Sequence, residues 1–88
     1  RGVALESFDR YRRAGITVAL GTDTYPLDMF SEMRTASQMG KLVDRSHEAS
    51  PAAAVFEASN MMGAKALGRS DLGRIAVGAK ADLVLVDT

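Results

Sequence analysis

Cysteine and tryptophan are absent from this sequence, histidine occurs once, at His47, and proline only at Pro26 and Pro51. Without cysteine there is no disulfide framework and no thiolate metal site, which fits a reducing, cytoplasmic setting. One histidine does not make a metal centre. No apolar run approaches the roughly 20 residues that cross a bilayer. The opening stretch RGVALESFDRYRR lacks the apolar core of a signal peptide. No charge of one sign is in excess either, since eleven basic residues balance eleven acidic ones. That balance argues against nucleic acid and against an anionic membrane as partners. The 88 residues allow at most one small domain. A chain of that size buries only about 60% of its unfolded surface, or a little more.

What is present alternates between helical and strand patterns. Val3, Ala4, Phe8 and Tyr11 recur at helical spacing, with Glu6, Asp9, Arg10, Arg12 and Arg13 facing elsewhere, so a helix is expected from Val3 to Ala14, capped by Gly15. ITVAL, Ile16 to Leu20, carries no charge on either face, the pattern of a parallel strand covered on both sides. A second helix is expected from Asp28, as N-cap, to Val43, with Met29, Met33, Ala36, Gly40 and Val43 on its apolar stripe. VDRSHEAS is loop-like. Ser50 and Pro51 start a third helix, which runs to about Ser59, and GAKAL makes a short turn ending at Gly68. Two strands, Arg74 to Val77 and Asp82 to Asp87, follow around a turn at Gly78 to Ala81. The shift from helical to strand sequence near Arg69 divides the chain into residues 1–68 and 69–88. No internal repeat is visible.

A lone parallel strand has no neighbour to pair with. Its buried backbone groups would each cost about 1–3 kcal/mol if left without partners. This and the opening Arg1 lead to the expectation of a piece of a longer chain.

Working groups in parallel α/β folds sit at the carboxyl ends of strands. Asp23 lies at such an end, after Gly21 has turned the chain and Thr22 has a hydroxyl to hold the turn. A carboxylate there can bind a hard cation or take a proton from water; the alternative is an Asx-turn residue bonding to its own backbone. His47 reads as a solvated loop residue. Glu32 and Arg34 can orient a substrate, but an exposed charged pair is the simpler account. Met29, Met33, Met39, Met61 and Met62 read as filling the core. GRIAVGAK, Gly73 to Lys80, approaches a phosphate-binding loop, yet Ala79 displaces the lysine and neither serine nor threonine follows it.

Together, GITVALGTD, LDMFSEMRTA and GAKALGRSDLGRIAVGAKADLVLVD resemble the carboxyl end of the amidohydrolase superfamily, in its cytosine deaminase-like and triazine chlorohydrolase-like branch. The likeness runs from Gly15 onward. It implies an α/β fold: the last strand and flanking helices of a (β/α)8 TIM-type barrel, then strands of a small β-sandwich. In similar enzymes the matching aspartate touches a catalytic divalent metal, usually zinc and sometimes iron. It takes the proton of the attacking water and passes it to the leaving group. Asp23 would then be both metal ligand and proton shuttle, with Tyr25 near a small-molecule substrate.

The other ligands such enzymes need, a His-x-His pair and further histidines, are not in this sequence. The 88 residues alone are therefore expected to be inactive, with the remainder of the barrel as their partner and a homo-oligomer left open. Nucleoside deaminase-like members carry a small-residue and asparagine-rich loop after Gly-Thr-Asp. Thr24-Tyr25-Pro26 departs from it, which points away from an adenosine-type substrate. The expected reaction is hydrolysis of a C–N or C–Cl bond on a heterocycle or an amide. The rivals are a dihydroorotase-like or hydantoinase-like cyclic-amide hydrolase and a non-catalytic α/β interaction module.

Overall fold

Short-range signals decide where the helices begin and end. The computed structural model describes residues 6–88, and along them run α1 (Phe8–Arg13), α2 (Met29–Asp44), α3 (Ala52–Ser59) and α4 (Met61–Ala66). Ser7 caps α1 by accepting the Arg10 N–H at 3.0 Å. Gly15, at φ +82°, ends it. Its N–H donates to the Arg12 carbonyl and the Ile16 N–H to the Tyr11 carbonyl, both at 3.1 Å. This paired closure needs a left-handed residue, which glycine adopts without steric cost. The same closure ends α4 at Gly68 and α2 at Arg45, which takes φ +50° without being glycine. The expected helix from Val3 to Ala14 is thus seen over its carboxyl half, while Val3 and Ala4 lie outside the described residues.

Phe8, Ala54, Val55 and Ala58 form the buried cluster, with Val18, Leu20, Met33 and Ala36 packed against it. Burying a side chain the size of valine or phenylalanine is worth about 1.5–3 kcal/mol. Met29, Met33, Ala36 and Gly40 follow the expected stripe of α2, but Val43 at its end is exposed. Among the methionines, Met33 joins the core, whereas Met39 and Met61 are exposed. The chain then crosses back over α2 at its tightest approach. A Cβ on Gly40 would stand 1.9 Å from Ser50 Oγ. Ser50 itself is fully buried at φ +47°, and its hydroxyl finds no hydrogen-bond partner among the described residues. Ser37 Oγ donates to the Ser50 carbonyl at 3.0 Å, and Lys41 Nζ to the Ala49 and Ser50 carbonyls at 2.8 and 3.1 Å.

One expectation needs correction. Asp9, read as facing away from the core, is 2% exposed. Its carboxylate takes hydrogen bonds from Arg12 at 3.1 and 2.8 Å and pairs with Arg13 at 3.1 Å. Burial pushes this carboxyl up, but the Arg12 hydrogen bond, the Arg12 and Arg13 charges and the Ser50 backbone N–H outweigh it, so the net shift is downward. The three expected strands, Ile16 to Leu20, Arg74 to Val77 and Asp82 to Asp87, do not form among the described residues. A strand exists only by pairing, and Ile16–Leu20 meets no parallel neighbour. Its Leu20 N–H donates instead to the Ala58 carbonyl of α3 at 2.9 Å. Ile75, Val77 and residues Leu83 to Val86 are exposed, so the apolar faces that define those strands have nothing here to cover them. Within this stretch the chain turns at Ala76–Ala79, with Gly78 at φ +84°.

Gly40→Ala in the intact protein should lower stability by about 1–3 kcal/mol through overpacking, read as a lower urea midpoint. Asp9→Asn should also destabilise, and its pH dependence has a defined sign. The folded-state pKa lies below the ordinary 3.8. The stabilisation is therefore complete above that value and is lost as pH falls through the folded one. Between about pH 5 and about pH 3 the wild type should lose more stability than Asp9→Asn, and equal losses would refute the assignment.

Candidate functional site

Asp23 stands in the loop between Leu20 and α2, and both ends of that loop are tied to helices. Upstream is the Leu20–Ala58 hydrogen bond. Downstream, Asp28 Oδ1 accepts the Phe30 N–H at 3.0 Å and the Ser31 N–H at 3.2 Å, as an N-cap does. Between these anchors the chain reverses at Asp23, which adopts φ +56° while the Thr24 N–H donates to the Thr22 carbonyl. Aspartate tolerates the left-handed region better than most residues, yet the conformation is costly enough to mark a position worth explaining. Capping does not explain it, because Asp28 already serves α2.

The result is an exposed carboxylate at the crest of a tight turn. Tyr25 follows, 88% exposed, with a cis bond to Pro26. Structure and sequence agree that Asp23 and Tyr25 share one short loop.

The other candidates are elsewhere or inert. His47 is exposed, with Nε2 4.0 Å from a Glu48 carboxylate oxygen. Glu32 is half-buried and Arg34 exposed, and no ion pair joins them. The ion pairs seen instead are those of Asp9 and the Arg69–Asp71 pair, in which Arg69 holds the Asp71 carboxyl below its usual range. An open groove of about 380 Å³, lined by Met61, Met62, Lys65, Leu72 and Arg74 among others, runs beside α4 and includes no residue of the Asp23 loop. The network of Ser37 and Lys41 with the Ala49 and Ser50 carbonyls escaped sequence reasoning. Its only sequence signal is the i, i+4 spacing of the two side chains on α2.

No group of three or more His, Cys, Asp or Glu among the described residues could hold an ion. Asp23 offers a hard oxygen donor of the right kind, but a complete centre needs donors from outside these residues. Among the described residues no helix is long and apolar enough to cross a membrane.

Comparison with known proteins extends this picture. The chain is 51% identical to a 5-methylthioadenosine/S-adenosylhomocysteine deaminase of Halobacterium salinarum, over 86% of this chain and 18% of that protein. It is 44% identical to a 5'-deoxyadenosine deaminase of Methanosarcina barkeri, over 83% and 18%. A third relative, named as the first and from Desulfitobacterium hafniense, is 42% identical over 86% and 18%. The chain thus spans about 18% of the length of the curated relatives it matches. No solved structure matches it. The sequence model of the amidohydrolase family matches residues 4–88, nearly the whole chain and with it the Asp23 turn and both of its anchors, so the chain belongs to the amidohydrolase family.

Proposed function

We propose that this chain supplies the carboxyl-terminal part of a metal-dependent hydrolase, with Asp23 as metal ligand and proton shuttle. The observation that carries the proposal is the left-handed, exposed Asp23 turn, held at both ends, in a chain of the amidohydrolase family. Family membership supports a fragment of a TIM-type barrel. In that frame residues 1–68 belong to the barrel and 69–88 to a small β-sandwich. Ile16–Leu20 becomes its last strand once a neighbouring strand pairs with it, and the apolar faces of 74–86 find their cover in the same way.

The names of the relatives favour deamination of an adenosine derivative over cyclic-amide or C–Cl hydrolysis. They run against the expectation drawn from Thr24-Tyr25-Pro26. In such a deamination a water oxygen bonds to the purine carbon bearing the amino group. The C–N bond then breaks, and ammonia leaves with the transferred protons. A divalent metal, zinc or iron, supplies Lewis acidity that makes water acidic enough to attack near neutral pH. Asp23 accepts the proton of the attacking water and delivers it to the departing nitrogen. Tyr25, next but one along the loop, offers an aromatic face on which a flat base can stack. Histidines outside this sequence complete the metal's ligand set.

Asp23→Gly separates catalysis from folding. Glycine suits φ +56° at least as well as aspartate, so the substitution leaves the backbone of the turn unstrained. Turnover of 5'-deoxyadenosine by the full-length enzyme should nevertheless fall by about three orders of magnitude or more. A glycine variant turning over at the wild-type rate would refute the role given to Asp23. Tyr25→Ala should mainly raise KM, by roughly tenfold, while Tyr25→Phe keeps the stacking face and stays near wild type. Equal loss in both variants would instead assign the work to the phenol hydroxyl.

A further inference from the structure

The downstream anchor of the Asp23 loop rests on one side chain. The first turn of α2 has several N–H groups with no partner inside the helix, and proteins usually secure such a turn by more than one device. A capping box would need Glu or Gln at the third helical position, where Ser31 stands. A hydrophobic staple would need an apolar residue at the fourth position to meet Leu27, but Glu32 stands there and Leu27 is exposed. Phe30 and Ser31 are exposed too, and Met29 and Glu32 are only half-buried, so tertiary packing holds this turn less firmly than the body of the helix. What remains is Asp28 Oδ1, holding the Phe30 and Ser31 N–H groups at 3.0 and 3.2 Å.

The body of α2 does not share this weakness. It is docked against α3 and the preceding turn by Ser37, Lys41 and the Ser59 hydroxyl, which lies 3.1 Å from Met33 Sδ. The upstream anchor on the Ala58 carbonyl belongs to the same docked pair. Unwinding the first turn of α2 would therefore free one end of the loop and leave the other held, moving whatever lies between.

From this geometry we infer that Asp28 is a positioning residue for Asp23: through its cap, and not through its charge, it sets where the Asp23 carboxylate stands. The inference rests on the catalytic role proposed above for Asp23. A displacement of about 1 Å in a reacting group can cost about 10²-fold in rate, and Tyr25, which lies between Asp23 and Asp28, moves with the same loop.

The test uses the full-length enzyme with 5'-deoxyadenosine as the probe and compares Asp28→Ser, Asp28→Asn, Asp28→Gly and Asp28→Ala. Serine and asparagine cap as well as aspartate without its charge, glycine caps less well, and alanine hardly at all. The inference expects kcat to follow that order. Serine and asparagine should stay within about threefold of wild type in kcat and alanine should fall roughly 10- to 100-fold, with KM raised by no more than the roughly tenfold expected of Tyr25→Ala. Should the alanine variant fail to fold, the glycine variant against serine and asparagine carries the same ordering. Two results overturn the inference. If kcat is level across the series while the melting temperature alone falls, the cap is only structural. If serine and asparagine are as slow as alanine, the charge matters and the cap does not. Asp23→Asn, assayed alongside, keeps the two ideas apart. If it is inactive while the Asp28 series is level, only the positioning role fails; if it is fully active, the catalytic role of Asp23 fails and this inference with it.

Discussion

Everything in the arrangement of α2, α3 and the Asp23 loop depends on how closely the Ser50 turn can approach α2, and that is decided at Gly40. With no Cβ in the way, the turn seats Ser50 directly on the helix. Ser37 and Lys41, three and one residues away along α2, then reach the carbonyls of Ala49 and Ser50. The approach has costs: a buried hydroxyl with no partner among the described residues and a left-handed serine backbone. Those costs are met by the carbonyl bonds and by the apolar contacts of α3 beneath. Once α3 is launched from that point, its Ala58 carbonyl arrives where the Leu20 N–H needs an acceptor.

Charge is used in the same economical way. Asp9 is buried against the Ser50 backbone, where an isolated carboxylate would be expelled, and stays because two arginines of its own helix pair with it. Nearby the Ser7 hydroxyl has two roles, capping α1 and donating to Asp44 at the end of α2 at 2.9 Å. These contacts tie α1 to the frame that holds the loop. Asp23 is thus placed by features distant along the chain as well as by its near anchors at Leu20 and Asp28.

The apolar residues between Ile75 and Val86 present the opposite case. Their patterning is that of strands, and their exposure shows what such a pattern does without a sheet to join. A helix completes its hydrogen bonds within itself, whereas a strand completes them only with a neighbour. This difference explains why, among the described residues, the expected helices are present and no strand is. It also agrees with a chain that spans about 18% of the length of its relatives.

Helix limits were legible from the residues alone, because capping is a matter among four or five neighbours: Asp28 before α2, Pro51 before α3, Gly15 and Gly68 after α1 and α4. The Asp23 bend was legible too, since Gly-Thr-Asp after an apolar run marks a turn by local chemistry, and the family resemblance rested on the same stretch. Tertiary structure alone decided that Asp9 would be buried, that Gly40 would receive Ser50, that Lys41 would be spent on backbone carbonyls, and that ITVAL would lean on α3. Each of these joins residues distant along the chain or depends on a surface made by several elements. Periodicity in a sequence records which face of an element is apolar, not which surface will meet it, and that meeting is what settles burial, pairing and the position of the loop.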